Sequence, residues 1–189
     1  CGVNRRIRMV RHHDLDWVVR RLHRRLGHPL KLLKSDFKAS YRSCPIRTED
    51  LPFSHILLRG RSNELLVSQQ FAMPFGAVGA VYAWDRLGSA VTAILIEKLL
   101  VPCIRYVDDL FWTDSEETSE ECREMVMEVV SHLGFTLEPE KTPLPSDSLD
   151  ILGITTSLKV INGDLHLTYV PDAMKVSFLL DLIAIQASG

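Results

Sequence analysis

Apolar residues Leu15, Val18, Val19, Leu22 and Leu26 recur at i, i+3, i+4, i+7 and i+11, the spacing of one helical face. The spacing predicts a helix capped by Asp14 and stopped by Gly27 and Pro29, with Arg20, Arg21, Arg24 and Arg25 on its other side. Residues 30–46 read as a short strand followed by a turn-like run that ends at Pro45. Residues 53–58 and 64–69 read as two more strands joined by the turn-forming segment 59–63. Gly76 and Gly79 precede a long helical stretch over 80–100 that ends at Pro102. Residues 104–113 are rich in β-formers but carry two acids in their middle, as a hairpin tip does. Thr118-Ser119-Glu120-Glu121 predicts a capping box for a helix bearing Met125, Val126, Val129, Val130 and Leu133 and closed by Gly134. Asn162-Gly163, between 158–161 and 164–167, is a two-residue hairpin signal.

Helices and hairpins therefore alternate without the regular spacing of a parallel βαβ sheet, and there is no internal repeat. The expected fold is α+β, an antiparallel sheet covered by helices on one face. Apolar residues make up 46% of the 189 and charged residues 24%, which excludes a disordered or fibrous chain.

Charge changes the picture. The net charge of -2 hides a polarity: residues 1–34 hold ten Lys/Arg against two Asp, and residues 106–150 hold two against thirteen acids. A basic surface suited to phosphates is thus set beside an acidic one suited to cations. Cys1, Cys44, Cys103 and Cys122 form no C-x-x-C pair and have no His at zinc-ligand spacing, so reduced thiols are expected rather than a disulfide framework or a zinc site. The longest apolar stretches are broken by Glu97-Lys98 and by Asp181, too soon to span a bilayer. The basic start is not followed by an apolar h-region, and the chain opens with Cys rather than Met. These features lead to the expectation of an intracellular piece, cytoplasmic or nuclear, of a longer product that is not secreted.

The most unusual local feature is Tyr106-Val107-Asp108-Asp109, set between Ile104 and Leu110-Phe111-Trp112. Two carboxylates about 4 Å apart repel by roughly 4 kcal/mol at an effective dielectric of 20. A divalent cation removes that cost, and Mg²⁺ prefers a few protein oxygens completed by phosphates. Asp36 lies where a second apolar strand stops, and Tyr41 follows five residues later. Taken singly, the acid pair is an ordinary turn and Asp36 a cap residue; the argument comes from the ordered set.

That set resembles the reverse transcriptases. The run from Lys34 through Asp36, Phe37 and Tyr41 to Pro45-Ile46 is similar to their first palm motif, and Phe71-Ala72-Met73-Pro74-Phe75-Gly76 to their second. Tyr106-Val107-Asp108-Asp109 resembles the third, Leu133-Gly134-Phe135 with Glu140-Lys141-Thr142 the fourth, and Ile151-Leu152-Gly153-Ile154 the fifth. Two positions depart from the pattern: Val81 stands where Pro is frequent, and Ala39 where an acid is frequent.

The resemblance implies a right-hand polymerase palm over 34–157. Partial fingers with a basic N-terminal segment would occupy 1–33, and a hairpin with the start of a thumb or connector 158–189. It implies an RNA-directed DNA polymerase that joins deoxynucleotides to a primer 3′-hydroxyl on an RNA or DNA template, using two Mg²⁺ ions about 3.5 to 4 Å apart. Asp36 and Asp108 would hold both ions, assisted by the main-chain carbonyl of Phe37. Asp109, facing the other way in an extended strand, would be a support or second-metal ligand. Tyr41 would lie under the incoming sugar and exclude a 2′-hydroxyl. Phe75 and Gly76 would border the nucleotide, Arg8 would hold its triphosphate, and Lys141 would protonate the leaving pyrophosphate. The arginine face of the first helix would meet nucleic-acid phosphates. Two other readings share parts of this pattern. One is an RNA-dependent RNA polymerase, which usually carries Gly-Asp-Asp in the third motif and a polar residue in place of Tyr41. The other is an inactive or domesticated palm that binds nucleic acid.

Overall fold

Leu110, Phe111, Trp112 and Thr113 form an unbroken buried run, which demands a strand covered on both faces. The computed structural model describes residue 7 and residues 9–177, and supplies both covers. The order is α1 (His12–Leu26), β1 (Leu30–Asp36), β2 (His55–Arg59), β3 (Leu65–Gln69), α2 (Val78–Leu99), β4 (Ile104–Tyr106), β5 (Asp109–Ser115), α3 (Ser119–His132), β6 (Ser148–Ile151), β7 (Ile154–Ile161) and β8 (Asp164–Pro171). Short 3-10 turns lie at Ser40–Ser43, Thr48–Phe53 and Pro139–Lys141. β5 is the middle strand of the sheet β1-β5-β4, while β2-β3 and β6-β7-β8 form separate sheets. Every ladder between these strands is antiparallel, as an α+β fold requires.

Strand alternation sorts the core. Leu33, Leu110 and Trp112 point to one face, where they pack with Trp84, Val91 and Leu95 of α2 and Val126 and Val130 of α3. Leu30, Leu32 and Phe111 point to the other, where Leu15 and Val19 of α1 and Leu149, Ile151 and Leu158 of the second sheet cover them. Helices α2 and α3 thus back the central sheet, and α1 with β6-β7-β8 lies in front. Each fully buried Leu or Val in these layers contributes about 1.5 to 3 kcal/mol. No described helix is long and apolar enough to cross a membrane, and the described cysteines Cys44, Cys103 and Cys122 are free and buried.

Three helix starts differ from expectation: α2 begins at Val78, which puts Gly79 inside it. α1 begins with Arg11 as its cap, and Asp14 sits one turn inside, its carboxylate accepting the Arg11 main-chain N–H at 2.8 Å. An acid there still faces the positive end of the helix. Thr118 does precede α3 but makes no capping bond. Its hydroxyl is drawn to Asp114 at 3.0 Å and Ser115 at 2.7 Å instead, partners delivered by the end of β5. The Asn162-Gly163 turn forms as predicted, both residues at positive φ (52° and 87°), the combination a tight hairpin needs. β2 and β3 pair with each other alone and leave Leu57, Leu65 and Val67 exposed.

Candidate active site

The β1–β5 ladder closes on the rung Asp36↔Asp109, and Tyr106 pairs with Asp109 from the other side. Directly opposed residues on antiparallel strands point their side chains to the same face, so Asp36 and Asp109 converge. Asp108 precedes the strand and lies in the hairpin turn, after Val107 at φ 55°. The expectation that Asp109 faces away from Asp108 fails for this reason: strand alternation does not run through a turn. Carboxylate oxygens of Asp36, Asp108 and Asp109 all lie within 4.8 Å of one another.

Three acids this close resist ionising together. Burial, with the charges of Asp36 and Asp108, pushes the Asp109 carboxyl up to about 6. Burial also raises Asp108, although its own main-chain hydrogen bond opposes the rise. Lys141 offers the cluster a cation, its Nζ donating to Asp36 Oδ2 at 2.7 Å, and that hydrogen bond and the Asp36 charge raise the lysine in turn. The oxygen-only donor set and the negative charge left beyond what Lys141 offsets fit a hard divalent ion such as Mg²⁺.

Lys141 arrives there because the chain after α3 adds itself to the end of β1. Lys38 N–H donates to the Thr136 carbonyl and Glu138 N–H to that of Asp36, each at 2.8 Å, and Phe37 bridges Leu137. The 3-10 turn at Pro139–Lys141 then lifts the lysine toward Asp36, and a buried hydroxyl pair, Ser35 with Thr142 at 2.6 Å, pins the segment beneath it. Phe37 N–H donates to the Asp108 carbonyl at 2.9 Å, while its ring is buried against Trp84 and Phe135. The side chain of Phe37 is therefore core, and only its main chain lies at the site.

Tyr41 and Phe75 meet edge to face with centroids 5.0 Å apart. A bridge between Pro45 and Ala72, with the Met73 N–H donating to the Cys44 carbonyl, brings their two segments together. Gly76 has φ 86°, where an L side chain is strained, and open space on the side where a Cβ would stand. Arg8 lies outside the described residues, as does the segment from 178 onward.

Sequence reasoning missed the support beneath the hairpin turn. Trp84 Nε1 on α2 donates to the Val107 carbonyl at 2.7 Å, and Arg105 donates to the same oxygen. Arg105, its side chain only 8% exposed, also meets Asp85 Oδ1 at 2.9 Å. Gly88 leaves the room for it, since a Cβ there would stand 2.7 Å from the guanidinium carbon. A glycine inside a long helix and an arginine in an apolar strand were the available signals.

An antiparallel sheet whose strand ends bring together three carboxylates, backed by two helices and flanked by a second small sheet, is the palm architecture of template-directed polymerases. The chain belongs to the family described as reverse transcriptase (RNA-dependent DNA polymerase), whose model matches residues 7–156. A search of curated protein sequences gave no match. Among solved structures, the chain is similar to the foamy viral protease-reverse transcriptase in complex with an RNA/DNA hybrid, at 16% identity and a TM-score of 0.54. The match covers 73% of this chain and 17% of that one, so the likeness is one of fold across a small part of the viral protein.

Proposed function

We propose that this domain is the catalytic palm of an RNA-directed DNA polymerase, adding deoxynucleotides to a primer 3′-hydroxyl on an RNA or DNA template. The observation that carries the reading is the convergence of Asp36, Asp108 and Asp109 from chain segments more than seventy residues apart. These three carboxylates would hold two Mg²⁺ ions. The ions would supply a lowered pKa at the attacking hydroxyl and charge neutralisation at the leaving pyrophosphate.

The protein's own groups do the rest. Lys141, charged and mostly exposed beside Asp36, would give its proton to the departing pyrophosphate oxygen. Tyr41, braced by Phe75, would present a ring to the incoming sugar and leave no room for a 2′-hydroxyl. The arginine face of α1, in front of the sheet on the same side as Asp36 and Asp109, would attract template and primer phosphates.

Primer extension on an RNA template with deoxynucleotides and Mg²⁺ tests the reading. The protein should extend the primer, and Asp36→Asn or Asp108→Asn should lower the rate at least about 100-fold. Extension at the normal rate by either variant sinks the assignment. Tyr41→Ala should admit ribonucleotides; a preference for ribonucleotides in the unmutated protein would point to an RNA polymerase instead.

A further inference from the structure

We infer that Arg105 and Trp84 are positioning residues for metal binding, holding Asp108 in place by converging on the carbonyl of Val107. The inference rests on the two-metal reading above. Asp108 belongs to a two-residue turn outside the paired rungs that hold Asp36 and Asp109, and the neighbouring strand end reaches it through the Phe37 N–H on its carbonyl. The residue before it is β-branched at φ 55°, a conformation that persists only where its surroundings over-determine it.

The surroundings here are specific. The Val107 carbonyl has two lone pairs, and it receives two side-chain donors, the indole N–H of Trp84 and the guanidinium of Arg105. One donor comes from the middle of the core and the other carries a full charge, which shortens and strengthens the bond. The fork of Arg105 is itself fixed. Nη2 donates to Asp85 Oδ1 at 2.9 Å, to the Asp85 carbonyl at 3.2 Å and to Ser89 Oγ at 3.1 Å, so the arginine spans from α2 to the hairpin turn. α2 gives up a side chain at Gly88 to let the guanidinium lie flat against it. The turn is thereby tied to the helix behind the sheet as well as to the end of β1.

The buried positive charge of Arg105 also favours the ionised form of Asp108, so simple charge compensation is a second role, and geometry separates the two. A lysine at 105 keeps the charge but lacks the planar fork that serves Val107 and Asp85 at once. Positioning therefore predicts that lysine does not restore what arginine provides.

The test is Mn²⁺ titration of the full chain by electron paramagnetic resonance, alongside hydrogen exchange of the hairpin amides and thermal melting. Arg105→Gln and Arg105→Lys should each weaken Mn²⁺ binding about 10-fold or more, as loss of a group that orients a ligand does. Trp84→Phe, which keeps the ring and removes the N–H, should weaken it in the same direction. All three should speed exchange at the 106–109 amides while the amides of α3 stay protected. Arg86→Gln, on the exposed side of α2, should change neither. Asp108→Asn should abolish binding. If the unmutated protein binds no Mn²⁺, the metal reading falls and this inference with it. If it binds, and Arg105→Lys or Trp84→Phe binds equally well with unchanged exchange, the positioning role alone is overturned.

Discussion

Asp109 is a side chain of the site whose proton the fold visibly controls. Its ordinary value is 3.8 and burial beside two other acids moves it to about 6. Between those values the folded state holds a proton that the unfolded chain has released, so stability present below about pH 4 is lost as pH rises to about 6. Melting of the metal-free protein should therefore fall across that window, and Asp109→Asn should flatten the fall and melt higher at pH 7. Mg²⁺ held as proposed would act with the opposite sign by favouring the ionised form, and its stabilising effect should be larger at pH 7.5 than at pH 5. Lys141 allows a second separation of roles. Removing its charge takes a competing cation away from Asp36, so Lys141→Met should bind Mg²⁺ more tightly. It should nonetheless extend primers about 100-fold more slowly if the lysine is the proton donor. A variant that gains affinity and keeps its rate would leave Lys141 as a counter-ion only. The carboxylates and the lysine could be singled out in the sequence only through the resemblance of five ordered motifs to a known family, since each alone reads as a turn, cap or loop residue. Arg105 and Trp84 were not, because what they hold is a main-chain oxygen, and every residue has one.

Among the elements, α1, α2, α3 and the β7–β8 hairpin follow from apolar periodicity and turn chemistry read locally. What local reading misjudged was competition. Thr118 has the right spacing for a capping box, yet Asp114 and Ser115 from the neighbouring strand take its hydroxyl. Gly88 poses the same question as a prediction. In an isolated helix, Gly88→Ala would stabilise by about 1 kcal/mol. Here the new methyl would collide with the buried guanidinium of Arg105, which Asp85 prevents from swinging away. Chemical denaturation should show Gly88→Ala to be destabilising, and a gain in stability would mean that the arginine is free to move. The thiols of Cys103 and Cys122, pushed by burial to about 12, should stay unmodified by alkylating reagents at neutral pH until α3 and the central sheet open.

At the scale of the molecule, an amphipathic stripe announces that a helix has a cover without saying which one. The sequence led to helices on one face of the sheet, and α2 and α3 occupy it. The opposite cover, α1 with β6-β7-β8, is set by long-range pairings such as the His12 ring with the Ile151 carbonyl and Tyr169 with Asp16, which leave no periodic trace. The Asp36↔Asp109 rung has a consequence of its own. The two halves of the carboxylate cluster are joined by sheet pairing and not by the chain between them, whose turn residues Arg61, Ser62 and Asn63 are exposed on the β2–β3 hairpin away from the core. The polypeptide should therefore tolerate being divided between Arg61 and Ser62. Two separately expressed pieces should recombine when mixed and recover divalent-ion binding that neither has alone, making this palm a complementation reporter whose signal depends on one strand finding its register.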